Sequence, residues 1–383
     1  MFCWYVPEDI FMPLEKLEIV QEGKTNGEGT VMRYRTRKGT DIFCLGVPIF
    51  YESGEEWDLG PTFCYLVMGE KTTLIDSGQF DRYEILVSLL KRVGCDVKDI
   101  DRVIVTHSHE DHDGNLPELL ADSGAELWAH YAFESMIKYH KEINDDASHP
   151  EFPGSCRCCL MPDKFNTRCR QYHVKRSNVE IGRHVDGLSA PPGRDYRLLL
   201  TPGHAADSLC TVFQEEVLFS GDTLLPTITP HPSLMLEYYV NRRILPDGYG
   251  GNNDAYGLIA YINSLYTLKT QCIDVDLLLP GHRLFEKGKI NCLKPSERAA
   301  EIILFHQERC KDILNILGNR GLKLDEIALE LFEPRLRKGW GRFMSQREVM
   351  SHLELLSICG DIEWASKEFM SRATGSNNYK EFF

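Results

Sequence analysis

The chain has 383 residues, enough for two domains of ordinary size, and its content of 43% hydrophobic and 26% charged residues is that of a globular protein. Its net charge of −14 argues against nucleic-acid binding, which depends on concentrated Lys and Arg. No apolar run approaches the ~18 residues of a membrane span, and residues 1–13 lack an export signal. We therefore expect a cytoplasmic protein that contacts no membrane and whose 13 cysteines form no disulfide framework.

The first part of the chain predicts strands followed by a helix. Residues 1–60 carry few signals, and we assign them to an entry hairpin and the first strands. Residues 63–68 and 72–78 read as two β-strands joined by a Gly69 turn. Residues 83–93 have apolar side chains at helical spacing, and Gly94 ends this helix. The pattern is that of an α/β protein.

A cluster of metal-ligand residues follows the next strand. His107, His109, Asp111 and His112 lie within six residues, directly after the apolar run 103–105 and before a helix that Gly124 closes. Crowding three imidazoles and a carboxylate together is unfavourable unless a cation holds them. The loop between a strand and a helix is also a common place for active sites in α/β folds. This segment therefore predicts a metal site.

Three further fragments repeat the arrangement of an apolar strand that ends in a ligand residue. The strands 198–200, 217–219 and 277–279 are followed by His204, Asp222 and His282. The order of all four fragments resembles the metallo-β-lactamase superfamily, whose pattern is H-x-H-x-D-H, then a single His, an Asp and a final His. The resemblance spans residues 40–290.

The resemblance implies a four-layer αββα sandwich that binds two divalent metal ions, most simply zinc, with iron or manganese as alternatives. It assigns seven ligands: His107, His109 and His204 to the first ion, Asp111, His112 and His282 to the second, and Asp222 to both. A hydroxide shared by the two ions would be the nucleophile, and Asp111 would orient it. The superfamily's oxygen-reducing iron branch has Glu at the position of His109, so a hydrolase is favoured.

Asp76 matches the family's L-I-D-x-G element, in which the carboxylate lies behind the metal site and fixes how the imidazoles point. We therefore assign Asp76 a catalytic supporting role. The alternative is an ordinary turn residue before Gly78.

Residues 131–195 interrupt the alternation of strands and helices. In the family this stretch varies and often covers the active site, so we interpret it as a substrate-selecting lid within a first domain of residues 1–292. Cys156, Cys158, Cys159 and Cys169 fall in it and have the ligand chemistry of a structural zinc site. Their spacing matches no common zinc knuckle, so buried or loosely ordered thiols are favoured and structural zinc is the alternative.

Residues 293–383 predict a linker helix and a small separate α+β unit that resembles a winged helix. Its signals are helices at 297–317 and 325–332, a capping box from Ser345 to Glu348 that begins a third helix, and a strand after Gly360. The unit has 14 Lys and Arg against 14 Asp and Glu, so we expect it to dock or close over substrate rather than bind nucleic acid.

The leading interpretation is a dinuclear hydrolase of a small acyl thioester, similar to glyoxalase II and acyl-CoA thioesterase-like members of the family. The sequence shows no general acid, and a thiolate can leave as an anion where an amine cannot. Arg283, beside His282, would hold a small anionic group of the substrate. The alternatives are a ribonuclease and a non-enzymatic metal-binding DNA regulator. The sequence does not reveal the oligomeric state, and a homodimer is one possibility.

Overall fold

The computed structural model describes residues 17–49, 58–142, 148–149, 152–156, 166–186, 195–242, 245–247, 249, 252–365 and 370–383. Its strands, in chain order, are β1 (Leu17–Gln21), β2 (Val31–Arg35), β3 (Asp41–Val47), β4 (Thr62–Met68), β5 (Thr72–Ile75), β6 (Arg102–Ile104), β7 (Glu126–His130), β8 (Ser148–His149), β9 (Phe152–Cys156), β10 (Arg183–Val185), β11 (Tyr196–Leu200), β12 (Leu209–Phe213), β13 (Val217–Gly221), β14 (Leu277–Pro280), β15 (Phe285–Glu286), β16 (Lys289–Ile290), β17 (Gly321–Lys323), β18 (Ile362–Ala365) and β19 (Met370–Ala373).

The α-helices are α1 (Tyr83–Arg92), α2 (Glu110–Asp113), α3 (Leu116–Ser123), α4 (Phe133–Glu142), α5 (Asn166–Arg176), α6 (Met235–Asn241), α7 (Asn252–Ala255), α8 (Gly257–Gln271), α9 (Pro295–Leu317), α10 (Leu324–Leu331) and α11 (Trp340–Ile358). Among the described residues no helix is both long enough and apolar enough to span a lipid bilayer.

Two large sheets form the centre of the fold. The first has eight strands in the order β1-β2-β3-β4-β5-β6-β7-β10, and the second has four in the order β11-β12-β13-β14. Strands β5, β6, β7 and β10 are parallel, as is the pair β13 and β14. The carboxyl ends of parallel neighbours meet at one edge of a sheet, which is where the predicted ligand loops begin.

The side chains divide the sheets into inner and outer faces. Ile104 of β6 belongs to the apolar cluster between the two sheets, together with Phe219 and Leu279 of the second sheet. Its neighbour Val103 faces the opposite way and packs with the helices that cover the first sheet. This alternation follows from the two-residue period of a strand. Helices, sheet, sheet and helices therefore form the four layers expected of an αββα sandwich.

Two helix ends predicted from glycine are confirmed. Helix α1 ends just before Gly94, which has a φ of 80°, and α3 ends before Gly124, which has a φ of 67°. Both values lie in the left-handed region that glycine enters at little cost, so each glycine stops its helix.

The stretch 131–195 contains more regular structure than the lid interpretation expected. Its described part includes α4, α5 and β10, and β10 extends the first sheet by pairing in parallel with β7. Phe133 and Ile137 of α4 are buried in the cluster on the outer face of that sheet. At least these parts of the stretch belong to the sandwich itself.

The C-terminal unit contains α10, α11 and an antiparallel sheet in the order β17-β19-β18. Its buried side chains, among them Leu353, lie in the same apolar cluster as Ile262 of α8 and Leu218 of β13. The unit therefore packs on the outer layer of the second sheet through a continuous core. Its resemblance to a winged helix stays a prediction.

The capping box predicted at Ser345 is wrong. Helix α11 begins at Trp340, directly after Gly339, and runs through Ser345 without interruption. The Ser345 hydroxyl donates to the Arg342 carbonyl at 2.9 Å, which is how a serine within a helix satisfies its side chain.

We expect Leu353→Ala to destabilise the whole chain in one step, because Leu353 is fully buried in the shared cluster. A leucine truncation of this kind lowers the free energy of unfolding by about 2–5 kcal/mol. Calorimetry should show a single transition at lower temperature. Leu329→Ala is the control, since Leu329 is 55% exposed and its loss should change the stability little. Two separate transitions, with only one of them shifted by Leu353→Ala, would contradict a continuous core.

Candidate metal centre

Backbone hydrogen bonds hold the four predicted ligand loops at one edge of the sandwich. The loops follow β6, β11, β13 and β14. Leu209 N donates to Thr106 O at 2.7 Å and Phe63 N donates to Gly281 O at 2.7 Å, so the two sheets are joined there. Gly281 N donates to Gly221 O at 2.8 Å. The loops that carry the predicted ligands are thereby fixed to one another.

The first group of side chains is the one assigned to the first ion. His107 Nε2 and His109 Nδ1 lie 2.9 Å apart, and His204 Nε2 lies 3.2 Å from the same His109 nitrogen. The three nitrogens all lie within 4.8 Å of one another, close enough to share one cation.

The second group contains Asp111, His112 and His282, whose ligand atoms also lie within 4.8 Å of one another. Asp111 Oδ2 is 3.0 Å from His282 Nε2 and 3.8 Å from His112 Nε2. The group combines two imidazoles with one carboxylate, a donor set that divalent ions accept.

Asp222 lies between the two groups. Its Oδ1 is 3.4 Å from His112 Nε2, and its Oδ2 is 3.7 Å from His204 Nε2 and 3.6 Å from His282 Nε2. One carboxylate thus reaches ligands of both groups. The structure brings together all seven residues that the sequence singled out.

The second ring nitrogen of four histidines is held by a neighbouring oxygen. His112 Nδ1 donates to Asp76 Oδ2 at 2.8 Å, and His107 Nδ1 lies 3.1 Å from the Thr106 hydroxyl. His204 Nδ1 donates to the His231 carbonyl at 2.9 Å, and His282 Nδ1 donates to the Pro61 carbonyl at 3.1 Å. These bonds place the proton on Nδ1, so each Nε2 presents its lone pair to the centre.

Asp76 occupies the place behind the histidines that its motif implied. Its Oδ1 accepts from Thr106 N at 2.7 Å, and its Oδ2 accepts from the Thr106 hydroxyl at 2.8 Å and from His112. Asp76 itself has a φ of 60°, a conformation that aspartate tolerates better than most residues.

Buried polar atoms show that the centre suits a cation. His112 Nε2, His282 Nε2 and Asp222 Oδ1 are buried and have no hydrogen-bond partner among the described residues. Such atoms are costly inside a protein unless something satisfies them. All three point into the centre, and a divalent ion would accept electron pairs from each. The residues present therefore fit the metal ions that the fold implies.

The electrostatics agree with this fit. Burial lowers the pKa of His107 well below its usual value, so the ring is neutral as a ligand must be. Burial would also lower the pKa of His112, but Asp222, Asp111 and Asp76 outweigh it and raise that pKa well above the usual value. The carboxylates thus make this end of the centre attract positive charge, which is a proton on His112 in the metal-free protein and would be supplied by a bound divalent ion instead.

Glycine is required beside the ligands. A Cβ on Gly281 would lie 2.5 Å from Asp222 Oδ1 and 2.7 Å from His112 Cε1. A Cβ on Gly221, whose φ is 50°, would lie 2.5 Å from the Thr106 hydroxyl oxygen. The absent side chains let the loops approach closely enough for the two groups to share Asp222.

Sequence reasoning missed a buried network that supports the histidine loop. Arg176 of α5 donates to the Ser108 carbonyl at 2.7 Å and to Asp113 Oδ2 at 2.9 Å, and Tyr172 also donates to Asp113. Burial raises the pKa of Asp113 to about 6, although Arg176 opposes the shift. Helix α5 lies in the stretch interpreted as a lid, and no motif in it signals these contacts.

The role expected of Arg283 is wrong. Its guanidinium donates to Glu286 Oε1 at 2.6 Å and to the Asp58 carbonyl, and its side chain is only 13% exposed. An arginine already paired in this way does not offer its charge to a substrate anion.

The four lid cysteines fall where the structure does not describe a complete set of side chains. Cys158 and Cys159 lie outside the described residues, and Cys156 and Cys169 belong to β9 and α5. The alternative of a structural zinc site stays a prediction.

Known proteins resemble the chain over most of its length. The Probable metallo-hydrolase YqjP of Bacillus subtilis is 24% identical over 335 residues, which cover 82% of this chain and 92% of that protein. The crystal structure of the metallo-beta-lactamase family protein TTHA1429 from Thermus thermophilus superposes with a TM-score of 0.63 at 22% identity, covering 87% of this chain and 98% of the other, and shows the same fold.

A more distant relative is the protein named Thioesterase pkgB of Emericella nidulans. It is 27% identical over 201 residues, which cover 51% of this chain and 46% of that protein. The model of the metallo-beta-lactamase superfamily matches residues 57–269, more than half of the chain, and within the clustered set only His282 lies beyond that range. The fold, the clustered residues and these matches together show that the chain belongs to the metallo-β-lactamase superfamily and is a metallo-hydrolase.

Proposed function

We propose that the protein is a dinuclear metal-dependent hydrolase of a small acyl thioester. His107, His109 and His204 would hold one ion, Asp111, His112 and His282 would hold the other, and Asp222 would be shared by the two. The observation that carries the proposal is the convergence of seven side chains into two groups joined by one carboxylate. Zinc is the ion we favour, because the first group consists of imidazoles alone.

Such a pair of ions supplies a strong nucleophile at neutral pH and polarises the carbonyl of the substrate. The chain's own residues determine how substrate reaches them. His107, His112 and His282 are buried, whereas His109 is exposed, Asp111 is 20% exposed and His204 is 13% exposed. Substrate therefore enters from the side of His109, Asp111 and His204, where Asp111 orients the attacking water.

The leaving group decides the substrate class. Asp113, a buried acid directly after His112, is bound to Arg176 and Tyr172 and is not free to protonate a departing group. An amine generally needs such a proton, but a thiol with a pKa of about 8.5 leaves as a thiolate without one. The name of the distant relative Thioesterase pkgB supports the same chemistry.

The substrate test is a comparison of kcat/KM on metal-loaded protein. We expect a short-chain acyl-CoA or glutathione thioester to be hydrolysed at least about tenfold more efficiently than a penicillin or a model RNA, because only the thioester has a leaving group that departs as a stable anion without acid assistance. The oxygen ester of the same acyl group is the matched control and should be slower. Preference for RNA would instead favour the ribonuclease alternative, and preference for the penicillin would show that the leaving group does not select the substrate.

A further inference from the structure

The backbone carbonyl of His231 orients His204, the ligand of the first group that comes from the second sheet. His204 Nδ1 donates to the His231 carbonyl at 2.9 Å. Because that bond fixes both the proton and the plane of the ring, it aims His204 Nε2 at His109. A shift of residue 231 would therefore change the direction in which His204 Nε2 points.

The loop that carries His231 is also fixed to the His204 turn at Ser233. Ser233 N donates to the Gly203 carbonyl at 2.7 Å, and the Ser233 hydroxyl donates to the same carbonyl at 2.6 Å. Ser233 is buried, so these bonds are shielded from water. They hold the two loops together but leave the remainder of the His231 loop to be held elsewhere.

The C-terminal region holds that remainder. Arg298 of α9 donates from Nε to the Leu225 carbonyl at 2.7 Å and from Nη2 to the Ile228 carbonyl at 3.0 Å. The loop is thus anchored before His231 by a helix outside the ligand-bearing region.

Glu354 of α11 anchors the loop after His231. Its Oε2 accepts from Met235 N at 2.8 Å, and its Oε1 accepts from Leu236 N at 3.2 Å. These are the first amides of α6, which have no acceptor within their own helix. Glu354 therefore supplies acceptors that the helix lacks, and the two amides lie 119 and 118 residues away from it in sequence.

A second contact supports the same junction. Arg347, also on α11, donates to Glu237 of α6. Glu237 in turn accepts from Leu234 N at 3.2 Å, the residue before the helix. The start of α6 is therefore tied to α11 through two separate carboxylates.

We propose that Glu354 is a positioning residue for the metal centre, acting through the start of α6 and the His231 carbonyl on His204. The C-terminal unit would then be part of the machinery that shapes the first ion site, in addition to packing on the sandwich. This inference rests on the proposed function in one respect only, that His204 is a metal ligand.

The test measures metal affinity directly. Metal-free protein is titrated with Zn²⁺ against a chromophoric chelator, and with Co²⁺ to follow the visible absorption of each site. We expect Glu354→Ala to weaken binding of one of the two ions by about tenfold, the lower end of the range found when a direct partner of a ligating histidine is lost, because Glu354 acts on His204 only through the His231 loop. Binding of the other ion should change less, because the His231 carbonyl holds His204 and none of Asp111, His112 and His282. Glu354→Gln keeps one acceptor oxygen, so its affinity for the weakened ion should lie between those of the wild type and Glu354→Ala.

Glu348→Gln is the matched control. Glu348 is a buried acid on the same helix, but it pairs with Arg309 of α9 at 3.4 Å. The Glu348→Gln substitution should lower the melting temperature of the metal-free protein without changing the affinity for either metal ion. If Glu354→Ala does not fold, Arg298→Gln tests the same loop from its other end. It should weaken the binding of the same ion.

Wild-type affinity for both ions in Glu354→Ala and Arg298→Gln would overturn the positioning role. An equal loss in Glu348→Gln would also overturn it, since the effect would then be a general loosening of the C-terminal unit. Wild-type protein that binds fewer than two ions would instead count against the proposed function, so the two failures are distinguishable.

Discussion

Asp222→Asn is expected to prevent the protein from binding two metal ions together. The substitution keeps the size of the side chain but removes the charge of the one carboxylate that approaches His112, His204 and His282. Two divalent ions held close together depend on a shared anion to reduce their repulsion. We expect at least one ion to be lost on dialysis, with an affinity more than about 100-fold weaker, because a direct ligand should matter more than the outer partners whose loss costs about 10–100-fold.

Elemental analysis after dialysis, normalised to protein, measures this loss. Asp361→Asn is the control, because Asp361 is also a fully buried aspartate but lies in the C-terminal unit, where it accepts from Tyr379 N at 2.7 Å. That variant should be less stable and yet retain both ions. Retention of two ions by Asp222→Asn would refute the bridging assignment.

Asp76→Asn is expected to lower kcat by about 10²–10⁴-fold, because it would favour the tautomer of His112 that cannot bind a metal ion through Nε2. The Asp76 carboxylate accepts from His112 Nδ1 at 2.8 Å, which leaves Nε2 unprotonated. An amide nitrogen placed there would donate to Nδ1 and move the ring proton to Nε2, so the ring could no longer bind a cation through that atom. Replacing the aspartate that orients a catalytic histidine by asparagine has an effect near the upper end of this range in serine proteases.

Steady-state kinetics on the best thioester, with metal content measured in parallel, checks this prediction. Asp81→Asn is the matched control, since Asp81 has a φ of 63°, close to the 60° of Asp76, but is exposed on the surface. It should behave as the wild type, which would show that asparagine is tolerated in this backbone conformation. Unchanged kcat in Asp76→Asn would mean that His112 is oriented by something other than this carboxylate.

Side-chain type and order in the sequence were sufficient to find the candidate centre. His107, His204, Asp222 and His282 each follow a short apolar strand, and a strand that ends at the edge of a sheet leaves little freedom in where the next loop begins. The ligand chemistry belongs to the side chains themselves, so it can be read without coordinates. Asp76 was found in the same way, because its motif places it at the end of β5.

Contacts made by backbone groups could not be found in this way. The carbonyls of Pro61 and His231 hold His282 and His204, but every residue has a carbonyl, so no residue type marks them. Glu354 and Met235 lie 119 residues apart, and only the packing of α11 against the start of α6 brings them together.

Local signals also failed where packing decided the outcome. The pattern at Ser345 is that of a helix start, yet α11 begins at Trp340, because a buried serine can return its hydrogen bond to the helix backbone. The polar stretch around α5 gave no sign that Arg176 would be buried against the histidine loop, since a buried arginine is recognisable only from its partner, here Asp113. The sequence by itself determined which side chains carry the chemistry, whereas the tertiary structure decided what holds them in place, because support comes from backbone groups and distant residues that only folding brings within reach.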